Sequence, residues 1–168
     1  MPTLSIRPYT CADAPALHAL FHASVHGLAR SHYSAAQLAA WAPQDWDAMQ
    51  WAERLQANQP FVALAADGVT LAGFSDLQAD GYIDQFFVAP TCAGQGVGRA
   101  LMAHLQAQAA TRNITRLWAH VSLAAEAFFT AQGFVVEQRQ EVPRADQMLC
   151  NARMAKMLGT MVQNHQKS

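Results

Sequence analysis

The chain has 168 residues, of which 52% are hydrophobic, a mean hydropathy of +0.00 and a net charge of −1. That length suits one domain with a substantial core, and no apolar run is long enough to span a bilayer. Lys and Arg total only 11, so a nucleic-acid or membrane-surface partner has no electrostatic footprint. Cys11, Cys92 and Cys150 are an odd number without paired spacing, and Met1–Arg7 carries no signal-peptide pattern. Reduced thiols in a cytoplasmic protein are expected.

Leu4 to Pro8 alternates and predicts a first strand. Thr10 or Asp13 can cap the helix that follows, which runs to about Ala29 with an apolar face of Leu17, Leu20, Phe21, Val25 and Leu28. His18, His22 and His26 fall at i, i+4 and i+8 and line a neighbouring stripe. No carboxylate or thiol accompanies them at ligand spacing, so they read as a polar wall, facing solvent or a cleft, and no metal is expected. Ser34 is placed to cap a short helix through Trp41, stopped by Pro43, and Asp45 to cap another from Trp46 to Gln56. This region gathers His32, Tyr33, Trp41, Trp46 and Trp51. Aromatics at helix spacing are first of all core, yet paired helices of this composition can also line a substrate cleft. His22, His26, His32, Tyr33 and Trp41 are therefore candidate substrate-binding residues.

Phe61–Ala66, Val69–Asp76 and Tyr82–Val88 read as three antiparallel strands joined by turns at Asp67-Gly68 and Asp80-Gly81. Beyond Pro90 comes the stretch Cys92-Ala93-Gly94-Gln95-Gly96-Val97-Gly98-Arg99. Val97, Leu101, Leu105 and Ala109 then recur at helix spacing to about Thr111. A strand, a glycine loop and a helix start together make an anion site, because the first N–H groups of a helix lack internal partners. The loop lacks the Gly-Lys-Ser/Thr ending of a P-loop, and its G-x-G-x-G spacing is not that of a dinucleotide-binding turn. A bare strand-to-helix turn and a pyrophosphate cradle both fit the loop taken alone. Arg116–Val121 is the next strand, reached by a right-handed parallel crossover. Leu123–Gln132 follows as a helix ended by Gly133, and Phe134–Gln140 and Gln147–Ala155 close the chain as strands.

The run from Phe86 to Leu101 resembles motif A of the GNAT acetyltransferases, Q/R-x-x-G-x-G/A after a strand ending in Val-x-Pro. Gly96 and Gly98 match the two small positions, and Ala93 stands where Gln or Arg is usual. Ser122 to Phe134 resembles motif B, N-x-x-A-x-x-F-Y-x-x-x-G-F, with Ser122 in place of Asn and Phe129 in place of Tyr. The element order is similar to the GNAT fold along nearly the whole chain. His32-Tyr33-Ser34 and Gln37–Ala42 resemble the YafP-like branch of that family.

The resemblance implies an α/β fold of the α+β kind: a mostly antiparallel sheet of about seven strands, a parallel splayed pair, and helices on both faces. It implies one acetyltransferase domain over residues 1–157 and a polar tail over 158–168. Acetyl-CoA would be the co-substrate and a small-molecule amine the acceptor, and a homodimer is left open. The implied cofactor-binding residues are Phe86, Phe87, Val88, Gly94, Gln95, Gly96, Val97, Gly98, Arg99, Ser122, Phe128 and Phe129. Backbone groups at Phe86–Val88 would pair with the pantetheine arm, and the Val88 N–H would donate to the thioester carbonyl. A lysine-like acceptor costs about 4–5 kcal/mol to deprotonate at neutral pH, so a base is useful. Asp84, four residues before Val88, and His120 on the neighbouring strand are the candidates. Phe129 cannot protonate the leaving sulfur, but a thiol of pKa ~8.5 departs as thiolate at a cost of only about 2 kcal/mol. Ser122 could supply part of that role or cap a helix. A CoA-binding module without catalysis is the alternative.

Overall fold

The structure is a computed structural model, and it describes residues 3–159. The polar tail expected from residue 158 lies almost wholly outside them. β1 (Ser5–Pro8) leads through a 3-10 turn (Cys11–Asp13) into α1 (Ala14–Leu28). The Asp13 carboxylate accepts from the Thr10 N–H at 2.9 Å and pairs with Arg7 at 2.7 Å, so it locks the turn and does not cap α1 directly. α2 (Ala35–Trp41) starts at Ser34, whose hydroxyl accepts from the Gln37 N–H at 3.1 Å. α3 (Ala48–Asn58) is capped by Asp47, which accepts from Met49 and Gln50. The sequence had suggested Asp45. Trp46 then stands outside α3, stacked on His18 with ring centroids 3.5 Å apart.

β2 (Phe61–Leu64) and β3 (Leu71–Ser75) pair antiparallel. Their connection is longer than a two-residue turn: Asp67 turns back onto the N–H groups of Val69 and Thr70, and Ala65 N–H donates to the Thr70 carbonyl. The strand expected over Tyr82–Val88 is broken in two. β4 (Tyr82–Ile83) pairs parallel with β6 (Arg116–Ser122), whereas β5 (Phe86–Val88) pairs antiparallel with β3. α4 (Val97–Thr111) is the crossover between them. α5 (Glu126–Ala131) is shorter than expected because residues 122–125 form a turn in which Ala125 N–H donates to Ser122. Gly133 ends it at φ +92°. β7 (Val135–Arg144) and β8 (Gln147–Met157) form a long hairpin, reaching past the expected end at Gln140.

The break divides the molecule into two four-stranded sheets, ordered β1-β2-β3-β5 and β4-β6-β8-β7. This is the mixed α/β architecture expected, with the splay placed inside one strand segment. Each sheet carries its own core. Leu17, Val25, Leu55, Val62, Phe74 and Leu101 centre the first, and Met102, Leu105, Leu117, Phe134 and Met154 the second. α4 serves both: Val97 and Leu101 face one core, Met102, Leu105 and Ala109 the other. It is thereby clamped between the sheets with its N-terminus at their parting.

Candidate active site

Where the sheets part, a cleft of about 1120 Å³ opens, at the upper end of the range for small-molecule sites. The break has a chemical cause. Asp76, fully buried just after β3, accepts the N–H of Asp84 at 3.0 Å and of Gln85 at 2.8 Å. These two residues would otherwise continue the ladder to β6. Gln78 Nε2 donates to the same carboxylate at 2.9 Å. Burial pushes the Asp76 carboxyl up to about 6, against the pull of those three donors.

The free edge that results is defined by register. In an antiparallel ladder bonded and non-bonded pairs alternate. Ala89 N–H donates to the Ala72 carbonyl at 2.8 Å, so Val88, paired with Gly73, directs its own N–H away from β3 into the gap beside β6. Beyond β5, Gly94 and Gly96 adopt φ +75° and +83°, and a Cβ at either would meet nothing within 4 Å. The space before α4 is therefore open, its first-turn N–H groups face the cleft, and Arg99 lies in that turn. Gly98 has a different reason: a Cβ there would stand 3.2 Å from the Phe128 ring.

On the other side of the gap, Asp84 is fully engaged. Arg54 donates to both of its oxygens at 2.9 and 3.0 Å, Asn58 at 2.7 Å, and the Tyr82 hydroxyl at 3.4 Å. Burial alone would raise the carboxyl; Arg54, Asn58 and Tyr82 together hold it below the usual carboxylate range. The Tyr82 phenol, half-buried beside this carboxylate, is pushed up to about 12. His120 reaches the cleft from β6. The side-chain amide of Gln140 bonds its Nδ1 at 2.7 Å, and the rings of Tyr82 and Trp118 meet it edge-on at 5.7 Å. Desolvation by these walls, with the charges of Arg153 and Arg144, holds the imidazole below its ordinary value, and Asp84 opposes them. These surroundings bias the ring toward its neutral, proton-accepting form.

The comparisons agree with this geometry. The family model described as an acetyltransferase (GNAT) domain matches residues 29–158. The chain belongs to the GNAT acetyltransferase family. Over 142 residues it is 32% identical to YafP of Escherichia coli strain K12, which is named an uncharacterized N-acetyltransferase; the match spans 84% of this chain and 88% of that protein. A crystal structure from Rhodopseudomonas palustris, titled GCN5-related N-acetyltransferase: aminotransferase, class-II, superposes with a TM-score of 0.88. It is 33% identical, covering 94% of this chain and 98% of that one. The PaiA N-acetyltransferase of Thermoplasma acidophilum, crystallised with coenzyme A, shares the fold at a TM-score of 0.72 and 18% identity, covering 92% and 99%. By family the protein is an acyltransferase.

Most GNAT motif positions converge on the cleft. Phe86, Phe87, Val88, Gly94, Gly96, Val97, Gly98, Arg99, Ser122, Phe128 and Phe129 line it, as do Asp84, His120, Tyr33 and Trp41. Gln95 is exposed on the loop, with Nε2 turned back to the Thr91 carbonyl. Phe129 is 3% exposed and packs edge-on against Phe86 and Phe134, so it belongs to the second core as much as to the wall. Ser122 Oγ accepts from Ala125 N–H at 3.3 Å, a turn-capping role. The histidines of α1 do not reach the cleft. His22 borders a shallow depression with His18 and Trp46, His26 Nε2–H donates to the Ala42 carbonyl, and His32 is exposed beside Ser31. Among the described residues no cluster of His, Cys, Asp or Glu is disposed to hold a metal. The sequence reading missed Asp76, which breaks the strand from just after β3, and Arg54, Gln140, Arg144 and Asn151, which line the cleft from α3 and the β7–β8 hairpin.

Proposed function

We propose that the protein is an acetyl-CoA-dependent N-acetyltransferase of a small amine, formed by one domain over residues 1–157. The observation that carries this is a single cleft joining an open glycine loop at a helix N-terminus, a freed strand edge and the imidazole of His120. The PaiA relative crystallised with coenzyme A supports the choice of co-substrate.

Acetyl-CoA would supply an acyl group activated as a thioester. The N–H groups from Gly94 to Gly98, with Arg99, would bind its pyrophosphate. The edge of β5 would hold the pantetheine amides. The Val88 N–H would donate to the carbonyl oxygen as negative charge develops there. His120 would take the proton of the attacking amine. As placed, the Gln140 amide NH₂ donates to Nδ1 and the ring proton sits on Nε2; a half-turn of the amide that presents its oxygen to Nδ1–H would free the Nε2 lone pair. Asp84 remains the second candidate, but its depressed pKa and four donors make it a weaker base, and its nearer role is to hold Arg54. With Phe129 at the family's Tyr position, the sulfur leaves as thiolate.

The test is thiol release from acetyl-CoA with a panel of amines, beside calorimetric binding. His120→Gln is expected to keep acetyl-CoA affinity and lose ~10²–10⁴-fold in kcat. Asp84→Asn should lose less. Normal turnover in His120→Gln with a crippled Asp84→Asn reverses the assignment. Tight acetyl-CoA binding with no turnover on any amine makes the protein a binding module instead.

A further inference from the structure

The charge of the cleft says what kind of amine it takes. Its lining carries three permanent cations, Arg54, Arg99 and Arg144, against one carboxylate, Asp84, which is spent on Arg54. Arg99 sits at the glycine loop, where the phosphates of a nucleotide co-substrate would consume it. Arg144 is different. It stands near the tip of the β7–β8 hairpin, on the strand face it shares with Gln140. No carboxylate pairs with it among the described residues, and its one hydrogen bond goes to the neighbouring Pro143 carbonyl at 3.4 Å. It is close enough to His120 for its charge to act on the imidazole.

Between Arg144 and His120 the lining is mixed: the apolar Val142–Leu149 pair follows Arg144, and Gln140 bonds His120. Gln140 and Asn151 are cross-strand partners, and Asn151 Oδ1 is buried without a donor. Next to β8 the wall is aromatic: Tyr33 and Trp41 stand 5.7 Å apart, and Trp41 and Phe87 6.2 Å. The Tyr33 hydroxyl is already taken, donating to the Cys150 carbonyl at 2.6 Å and accepting from Leu123 N–H at 2.9 Å, so this wall offers mainly apolar contact. A cleft with a spare guanidinium, an unfilled acceptor beside a base, and an aromatic wall repels a polyamine and suits a zwitterion with an apolar side chain.

Resting on the acetyltransferase reading above, we propose that the acceptor is an amino acid bearing an apolar or aromatic side chain, its free carboxylate paired with Arg144 and its amine presented to His120. In the reaction the imidazole takes one proton from the ammonium, the freed amine nitrogen bonds to the acetyl carbon, the carbon–sulfur bond breaks with its electron pair leaving on sulfur as thiolate, and the second proton lost by the nitrogen neutralises that thiolate.

Matched acceptors test this at saturating acetyl-CoA: an aromatic amino acid, its carboxamide, its decarboxylated amine, and spermidine, each read by thiol release. The acid is expected to exceed its carboxamide and amine by about tenfold or more in kcat/KM, the size of one charge-assisted contact. Arg144→Gln should bring that ratio close to one by raising KM for the acid, and Arg144→Lys should restore part of it. Equal use of acid and carboxamide overturns the proposal, as does preference for spermidine or an unchanged KM in Arg144→Gln. So does failure of every amino acid tried while acetyl-CoA binds by calorimetry, which leaves the cofactor reading standing. Failure to bind acetyl-CoA at all sinks that reading and the proposal with it.

Discussion

Asp76 offers the sharpest quantitative test of how this site is built into the fold. It is a fully buried carboxyl whose nearest charged neighbour is another carboxylate, Asp84. Its pKa of about 6 in the folded protein stands against 3.8 for an ordinary Asp. Between those values the folded state holds a proton that the unfolded chain has released. Stability therefore falls as pH rises through this window, by about 1.4 kcal/mol per pKa unit and hence about 3 kcal/mol in all. Asp76→Asn removes the titration. It also replaces one acceptor oxygen by an NH₂ facing a backbone N–H, at a cost of about 1–3 kcal/mol. The variant should be clearly less stable than the parent at pH 4, and equal or more stable at pH 7. Urea unfolding at several pH values, with the difference between parent and variant plotted, measures this. The subtraction removes Asp13 and Asp84, which are held below their usual range and change stability in the opposite sense, losing it as pH falls. A difference that stays constant from pH 4 to pH 7 would refute the assignment of Asp76 as an uncompensated buried acid.

Gly96→Val places a β-branched residue at φ +83° beside open space; the fold should survive and coenzyme A binding by calorimetry should be lost. Gly98→Val should weaken binding by another route, pushing on the Phe128 ring 3.2 Å away, so parent-like affinity in both variants would remove the loop from the cofactor site. Leu105→Ala, fully buried where α4 meets the second sheet, should cost about 2–5 kcal/mol in urea unfolding. The cleft should loosen with it, because α4 is held by both cores.

The sequence was most informative where local chemistry decides the structure. The glycine loop and α4 are legible because periodicity, positive-φ glycines and a helix start coincide within a few residues. Ser34 and Gly133 act as the cap and stop that their residue types suggest. Asp45 and Asp47 are two residues apart with equal intrinsic capping power, and tertiary packing, with Trp46 stacked on His18, chose between them. The break in Tyr82–Val88 was not legible, since Tyr-Ile-Asp-Gln-Phe-Phe-Val reads as one continuous strand. Its cause is Asp76, eight residues before Asp84 and just past the end of β3. The histidines of α1 misled for a related reason: their spacing fixes a common stripe, but only packing shows that the stripe faces the connection between α2 and α3 and not the cleft. Gln140, Arg144 and Asn151 carry no motif at all; they meet the site through the register of the β7–β8 hairpin.

Two of the three departures from the GNAT motifs, Ala93 and Phe129, are tolerable for a reason the register supplies. Ala93 and Phe129 replace side chains, whereas the contacts proposed for the co-substrate come from backbone N–H groups whose direction is set elsewhere. Ala89 bonded to Ala72 fixes which residues of β5 face the gap. A slip by one residue would turn the Val88 N–H back into the sheet and offer that of Phe87 instead. Two features oppose that slip. A Cβ at residue 73 would stand 2.8 Å from the Phe87 carbonyl oxygen, so only glycine admits β5 this close to β3. Asp76 holds both N–H groups at the break, so β5 cannot slide without surrendering two bonds to a buried carboxylate. Side-chain identity along the loop can then vary while the donor proposed to polarise the carbonyl stays in place. It follows that Gly73→Ala, remote from any substrate, should lower kcat more than it lowers acetyl-CoA affinity. An equal loss in both would mean that β5 moved as a whole and that its register is not what positions the donor.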